Sequence, residues 1–155
     1  MPNQKAFTLI ETLVYLALFI IIIGGMLVAV FQIIESSNKT ETKIIVQEEA
    51  NFLLRKLDWA LTGASSVSQP PSGSSGAILR LSKDGHTLQF DLSGNFMRLQ
   101  RDSAATQALN SSNVTITNLS FQHIPSSGIK PDAVKATFQI NGQSFETTKY
   151  SRYEP

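Results

Sequence analysis

The sequence predicts an α+β protein: a long N-terminal α-helix, membrane-embedded in its first half and amphipathic in its second, packed on a C-terminal antiparallel β-sheet. Three observations predict it. Phe7–Ile34 (FTLIETLVYLALFIIIIGGMLVAVFQII) is a run of 28 residues whose only formal charge is Glu11. The polar stretch after it keeps a helical period to Leu61, and no proline interrupts residues 7–61. From Ala77 onward the period changes to two, with turn residues between short apolar runs.

The first element is long enough to cross a bilayer, which takes about 20 predominantly apolar residues in a helix. A secretory signal has a shorter apolar region of about 7–15 residues followed by a small-residue cleavage site. Here the run is longer and no such site follows it, so the sequence predicts a retained membrane helix. Glu11 lies four residues inside its start. A carboxylate in hydrocarbon costs at least about 2.5 kcal/mol and is usually functional. Two readings stay open on geometry alone: Glu11 sits shallow, near the headgroups, or it meets a positive group on assembly. Gly24-Gly25, mid-helix, has two readings as well. Paired small residues permit close helix packing, and glycine, about 1 kcal/mol poorer than alanine in a helix, also makes a point that can bend or melt.

The second half of the helix is read from Val46, Ala50, Leu53, Leu54, Leu57 and Leu61, which fall on one face, with Glu48, Glu49, Arg55, Lys56 and Asp58 elsewhere. Phe52 and Trp59 are read as packing residues. Gly63 is a natural residue to end the helix. Residues 63–76 (GASSVSQPPSGSSG), uncharged and rich in Ser, Pro and Gly, are expected to be a loop. Strands are expected at 77–82, 87–92 and 95–100, and one long or two short strands at 114–124. A final pair at 133–140 and 143–150 flanks Asn141-Gly142, the strongest hairpin signal in the chain. Residues 101–113 are the least determined. Short connections imply antiparallel pairing, with the apolar sheet face against the amphipathic helix.

Composition limits the chemistry. The 155 residues carry a formal charge of +1, with no basic cluster, so nothing indicates a nucleic acid partner. There is no cysteine, hence no disulfide, thiol nucleophile or thiolate metal site. His86 and His123 stand apart from any acidic cluster at ligand spacing, and Asp84, Asp91, Asp102 and Asp132 are scattered, so neither a metal nor a cofactor is expected. No serine sits in a nucleophile motif and no phosphate loop is present. Asn38-Lys39-Thr40 and Asn113-Val114-Thr115 fit the glycosylation acceptor pattern. Lys5 and the amino terminus precede the apolar run, and Lys39 and Lys43 follow it. This nearly even count weakly favours a cytoplasmic amino terminus.

The leader bears on Glu11. Met1–Ala6 (MPNQKA) is short, polar and basic, and ends in a small residue directly before the apolar run. Lys5-Ala6-Phe7-Thr8-Leu9-Ile10-Glu11 followed by a long apolar helix resembles the class III signal of the type IV pilin and pseudopilin superfamily. The match covers Phe7, Thr8, Leu9, Ile10 and Glu11. It departs at Ala6, where glycine is usual. The proline often found in the first half of this helix is also absent.

The resemblance implies a pilin-like fold and a non-enzymatic filament subunit, a minor pilin or pseudopilin, anchored in the membrane and assembled into a type IV pilus or type II secretion-like filament. It implies cleavage between Ala6 and Phe7 by a prepilin peptidase, N-methylation of Phe7, and neutralisation of a neighbouring subunit's Phe7 ammonium by Glu11. An i,i+4 pair of Phe7 and Glu11 within one chain is available before assembly. Implied partners are the prepilin peptidase/methyltransferase, other pilin or pseudopilin subunits, an inner-membrane assembly platform and membrane lipid. The C-terminal domain would be exported to periplasm or cell surface. Residues 47–59 and the β-rich end around Thr147-Thr148-Lys149-Tyr150 resemble, more loosely, the J-type minor pseudopilins. The expected divisions are a leader (1–6), a transmembrane and filament-core helix (7–34), its amphipathic continuation (35–62), a loop (63–76) and a β domain (77–155). The alternative is a membrane-tethered binding or adhesion module that does not polymerise.

Overall fold

A computed structural model describes residues 8–150. The chain divides into two compact units, Met1–Lys43 and Ile44–Pro155. Helix α1 (Leu9–Leu61, 53 residues) supplies the described part of the first unit apart from Thr8, and the first element of the second. It ends where expected. The amide of Thr62 still donates to the Asp58 carbonyl at 2.8 Å, and Gly63 then takes φ = +73°, open to glycine at little steric cost.

Among the described residues, nine antiparallel strands follow α1. They are β1 (Ala64–Gln69), β2 (Ser75–Gly76), β3 (Leu79–Lys83), β4 (His86–Ser93), β5 (Phe96–Arg101), β6 (Gln107–Ala108), β7 (Ile116–Ile124), β8 (Ala133–Ile140) and β9 (Gln143–Tyr150). The single expected sheet is two: one of order β1-β3-β4-β5-β6 and one of order β2-β7-β8-β9. The long strands lie within one or two residues of expectation. The Asn141-Gly142 hairpin has φ of +49° and +83°, the double positive φ of a type I′ turn, and pairs Ile140 with Gln143.

The stretch expected as a loop, 63–76, differs most. It contains edge strand β1, paired with β3, and the short β2, paired with β7. β1 is serine-rich, so it lacks the apolar alternation by which strands are read. Its inward contribution is only buried Ala64 and half-buried Val67. The hydroxyls of Ser65 and Ser68 donate to the carbonyls of Ser82 and Arg80 at 3.1 Å each, tying the edge to its neighbour.

The ambiguity at 114–124 also has a physical cause. β7 is one strand whose register against β8 shifts between Thr117 and Ser120, and Asn118 there has φ = +54°. This inserted residue resets the alternation. Ile116 faces the core on one side of it, and Leu119, Phe121 and His123 do so on the other.

All the helix positions expected to face the sheet do so. Val46, Ala50, Leu53, Leu57 and Leu61 are buried, Leu54 packs at the rim, and Ala60 joins them. They meet Leu79, Leu81, Leu88, Phe90 and Met97 from one sheet and Ile116, Phe121, Phe138 and Ile140 from the other in one apolar cluster. Phe90, Phe121 and Phe138 are its largest fully buried side chains. Polar links close the margins. Buried Asn110 accepts from the Met97 amide at 2.9 Å and donates to the carbonyls of Asn95, Ser111 and Val114, which orders the 109–114 connection. Lys149 on β9 pairs with Asp58 on α1 at 2.6 Å.

At the β3–β4 turn, Asp102 accepts from the Thr87 amide at 2.9 Å and lies 2.8 Å from His86 Nδ1. The Thr87 amide first, then His86, hold its carboxyl below the ordinary aspartate value of 3.8. A carboxyl lowered by folding stabilises the fold above its unfolded pKa, and loses that contribution as pH falls through the folded value.

Two outcomes are expected of the full chain in detergent. Leu53→Ala, at a position with no exposure, should lower unfolding free energy by about 2–5 kcal/mol in denaturant titration followed by β-sheet circular dichroism. A loss under about 1 kcal/mol would contradict this packing. Asp102→Asn should cost stability at neutral pH, with the difference from wild type shrinking as pH falls below the ordinary carboxylate range. A difference that stays constant to pH 2.5 would contradict the charged role of Asp102.

Candidate functional site

In the first part of α1, every large apolar side chain from Leu9 to Ile34 is exposed, the least of them Ile23 at 40%. A helix segment that is apolar all round belongs in a bilayer or among other helices. By length and composition α1 is the one candidate membrane span among the described residues.

Glu11 is the only formal charge in this surface. Thr8 directly precedes the helix, and its carbonyl accepts from the amides of Glu11 and Thr12 at 3.1 and 3.3 Å. Thr8 thus stands at the N-cap position and Glu11 three residues on, the Thr-x-x-Glu spacing of a capping box. That places the carboxylate in the first turn, where the positive end of the helix dipole favours an anion. Sequence reading missed this position in the first turn, although the spacing that signals it is in the motif itself. Among the described residues, Glu11 makes no side-chain hydrogen bond or ion pair, so its acceptor capacity is not consumed within them. Ala6 and Phe7, expected at the cleavage and methylation site, lie outside the described residues.

Gly24 and Gly25 lie within the continuous helix. A Cβ added at either would meet nothing within 4 Å, so packing inside the chain does not require glycine there.

The histidines belong to other parts of the fold. His86 makes the surface pair with Asp102. His123, buried, donates from Nδ1 to the Pro70 carbonyl at 3.0 Å, and its backbone exchanges bonds of 2.9 Å with Gly73 and Ser74. Its Nε2 lies 3.8 Å from Asp132 Oδ2. These contacts pin the 70–74 segment to β7. Ser66 and Lys149 line the same small cavity as His123 and Asp132, but the His123 nitrogen a triad would give to its carboxylate is held by a backbone carbonyl. Among the described residues, no group of three or more His, Asp or Glu is placed to hold a metal.

Residues 1–27 match the prokaryotic N-terminal methylation motif. The chain therefore carries a class III signal of the type IV pilin and pseudopilin kind, the signal of a pilin-like precursor subunit. That signal implies processing by a prepilin peptidase and assembly with other pilins, and together with the apolar helix it fits a membrane-anchored pilin. No curated protein matches the chain, and no solved structure does.

Proposed function

We propose that this chain, the bearer of a prokaryotic N-terminal methylation motif, is a structural subunit of a type IV pilus or type II secretion-like filament, a minor pilin or pseudopilin without catalytic activity. It is held in the membrane by the first part of α1, with a cytoplasmic amino terminus and an exported β-rich unit. A prepilin peptidase cuts between Ala6 and Phe7, and the new Phe7 amine is N-methylated. The inner-membrane assembly platform then transfers the subunit from lipid into the filament.

One observation carries this reading: the motif fronts a helical stretch, residues 9–34 of α1, whose large apolar side chains are all exposed and whose sole charge is a carboxylate in the first turn. Such a surface is satisfied by lipid before assembly and by other apolar helices after it. Away from lipid headgroups Glu11 needs a cation, and the Phe7 ammonium of a neighbouring subunit supplies one. Charges at about 4 Å attract far more strongly in apolar surroundings than in water, so the pair favours one register. The free space around Gly24 and Gly25 supports close approach of a neighbouring helix there. No bend is needed for that role.

Glu11→Ala tests the pairing. Membrane insertion and cleavage should be unchanged. Breaking a buried ion pair costs about 3–5 kcal/mol, so recovery of the variant in sheared filaments should fall by about a hundredfold or more. Wild-type recovery would contradict the pairing.

A further inference from the structure

The two sheets end in four edge strands, β1 and β6 in one and β2 and β9 in the other. A bare edge strand is a template for pairing with another chain, and folds blunt such edges with short strands, bulges, proline or charge. Three of the four are blunted here. β2 and β6 are two residues each, and the register of β1 against β3 shifts twice. β9 is different. It is eight residues long, holds neither proline nor glycine, and pairs with β8 without a register shift. Among the described residues, no strand lies on its other side. Its two charged side chains are engaged within the chain, Glu146 with Lys135 at 2.9 Å and Lys149 with Asp58 at 2.6 Å.

The hairpin decides which backbone groups of β9 face outward. Ile140 and Gln143 flank its two-residue turn and so form a hydrogen-bonded pair. Bonded and non-bonded pairs alternate from there along an antiparallel ladder. Phe145, Thr147 and Lys149 therefore turn their amides and carbonyls to β8, while Ser144, Glu146, Thr148 and Tyr150 turn theirs outward. The parity on the β8 side agrees: the amide of Asn141, just after β8, donates away from β9 to the Thr115 carbonyl at 3.0 Å. The side chains alternate between the two faces. Phe145, half-buried, stacks on Phe138 with ring centres 5.9 Å apart and packs at the margin of the core. Tyr150, 54% exposed, stands on the opposite face.

We propose that β9 accepts an extended, uncharged segment of a different subunit as a further strand of this sheet. The segment bonds to the outward backbone groups of Ser144, Glu146 and Thr148, and one of its apolar residues covers Phe145. With both charges of β9 engaged, a charged residue set beside Phe145 would be desolvated without a partner, so the edge favours a neutral strand. β9 of a second copy fits worse. Outward groups must meet outward groups, and the two longest antiparallel overlaps that allow this set Glu146 against Glu146 or Phe145 against Lys149. The contact therefore joins unlike chains, as a minor subunit requires. It rests on the filament reading above and deepens it by naming the surface and the kind of partner.

Proline tests the edge without touching the β8 ladder, because the Thr148 amide faces outward. Full-length Thr148→Pro and Thr148→Val should both keep the wild-type β-sheet circular dichroism and denaturant midpoint in detergent. Loss of the fold in Thr148→Pro would mean that this amide serves β8, and would overturn the proposal. In cells that hold the assembly machinery, recovery of Thr148→Pro in sheared filaments should fall by about tenfold or more, while Thr148→Val is recovered as wild type. Wild-type recovery of the folded proline variant would overturn the proposal. In membranes of the same cells, amide exchange of the wild-type chain should be slower than in detergent at Ser144, Glu146 and Thr148, by about tenfold or more, and unchanged at Phe145 and Thr147. Slowing at neither set, or equally at both, would overturn strand addition. The chain has no cysteine, so oxidised Thr148→Cys should give no dimer of the chain. A dimer would make the occupant a second copy and overturn the choice of partner. Absence of the wild-type chain from sheared filaments would overturn the filament reading, whereas wild-type filaments that tolerate the proline would overturn this docking alone.

Discussion

The constraint on which the rest depends is that a helix apolar on every side cannot remain in water uncovered. From Leu9 to Ile34 every large apolar side chain of α1 is exposed among the described residues of its unit, so its environment must come from lipid or from other helices. Within that surface a single carboxylate is the only strong electrostatic preference. Thr8 and the first helical turn give Glu11 a favourable local field without using its acceptor capacity. A neighbouring chain's ammonium completes that local arrangement in the filament proposed here.

The second unit follows another logic. Its core is closed by one helix face and two sheets, and its margins by specific polar bonds. Asn110 gathers four backbone partners into a connection with little apolar content. His123 does the same for the segment from Pro70 to Ser74. Both devices tie surface segments to the fold by hydrogen bonds instead of apolar burial.

The parts of the fold legible in the sequence were those governed by local periodicity and turn chemistry. The face from Val46 to Leu61 and the Asn141-Gly142 hairpin depend on residues near one another in the chain. What escaped depends on partners distant in sequence. β1 is a strand because β3 offers it a ladder, not because its serines favour one. The bulge at Asn118 hides the alternation of β7, and the division into two sheets is a property of strand order. At the candidate site, the sequence motif named Ala6, Phe7 and Glu11 together. Structure added the N-terminal position of Glu11 in its helix and the open space at Gly24 and Gly25.

The claim that everything else serves is that the leader is removed to create a cationic amino terminus at Phe7. The most direct measurement is the intact mass and N-terminal sequence of the chain recovered from membranes of cells with an active prepilin peptidase. The account predicts a chain beginning at N-methyl-Phe7. A chain still beginning at Met1, in cells that process another prepilin, would contradict it.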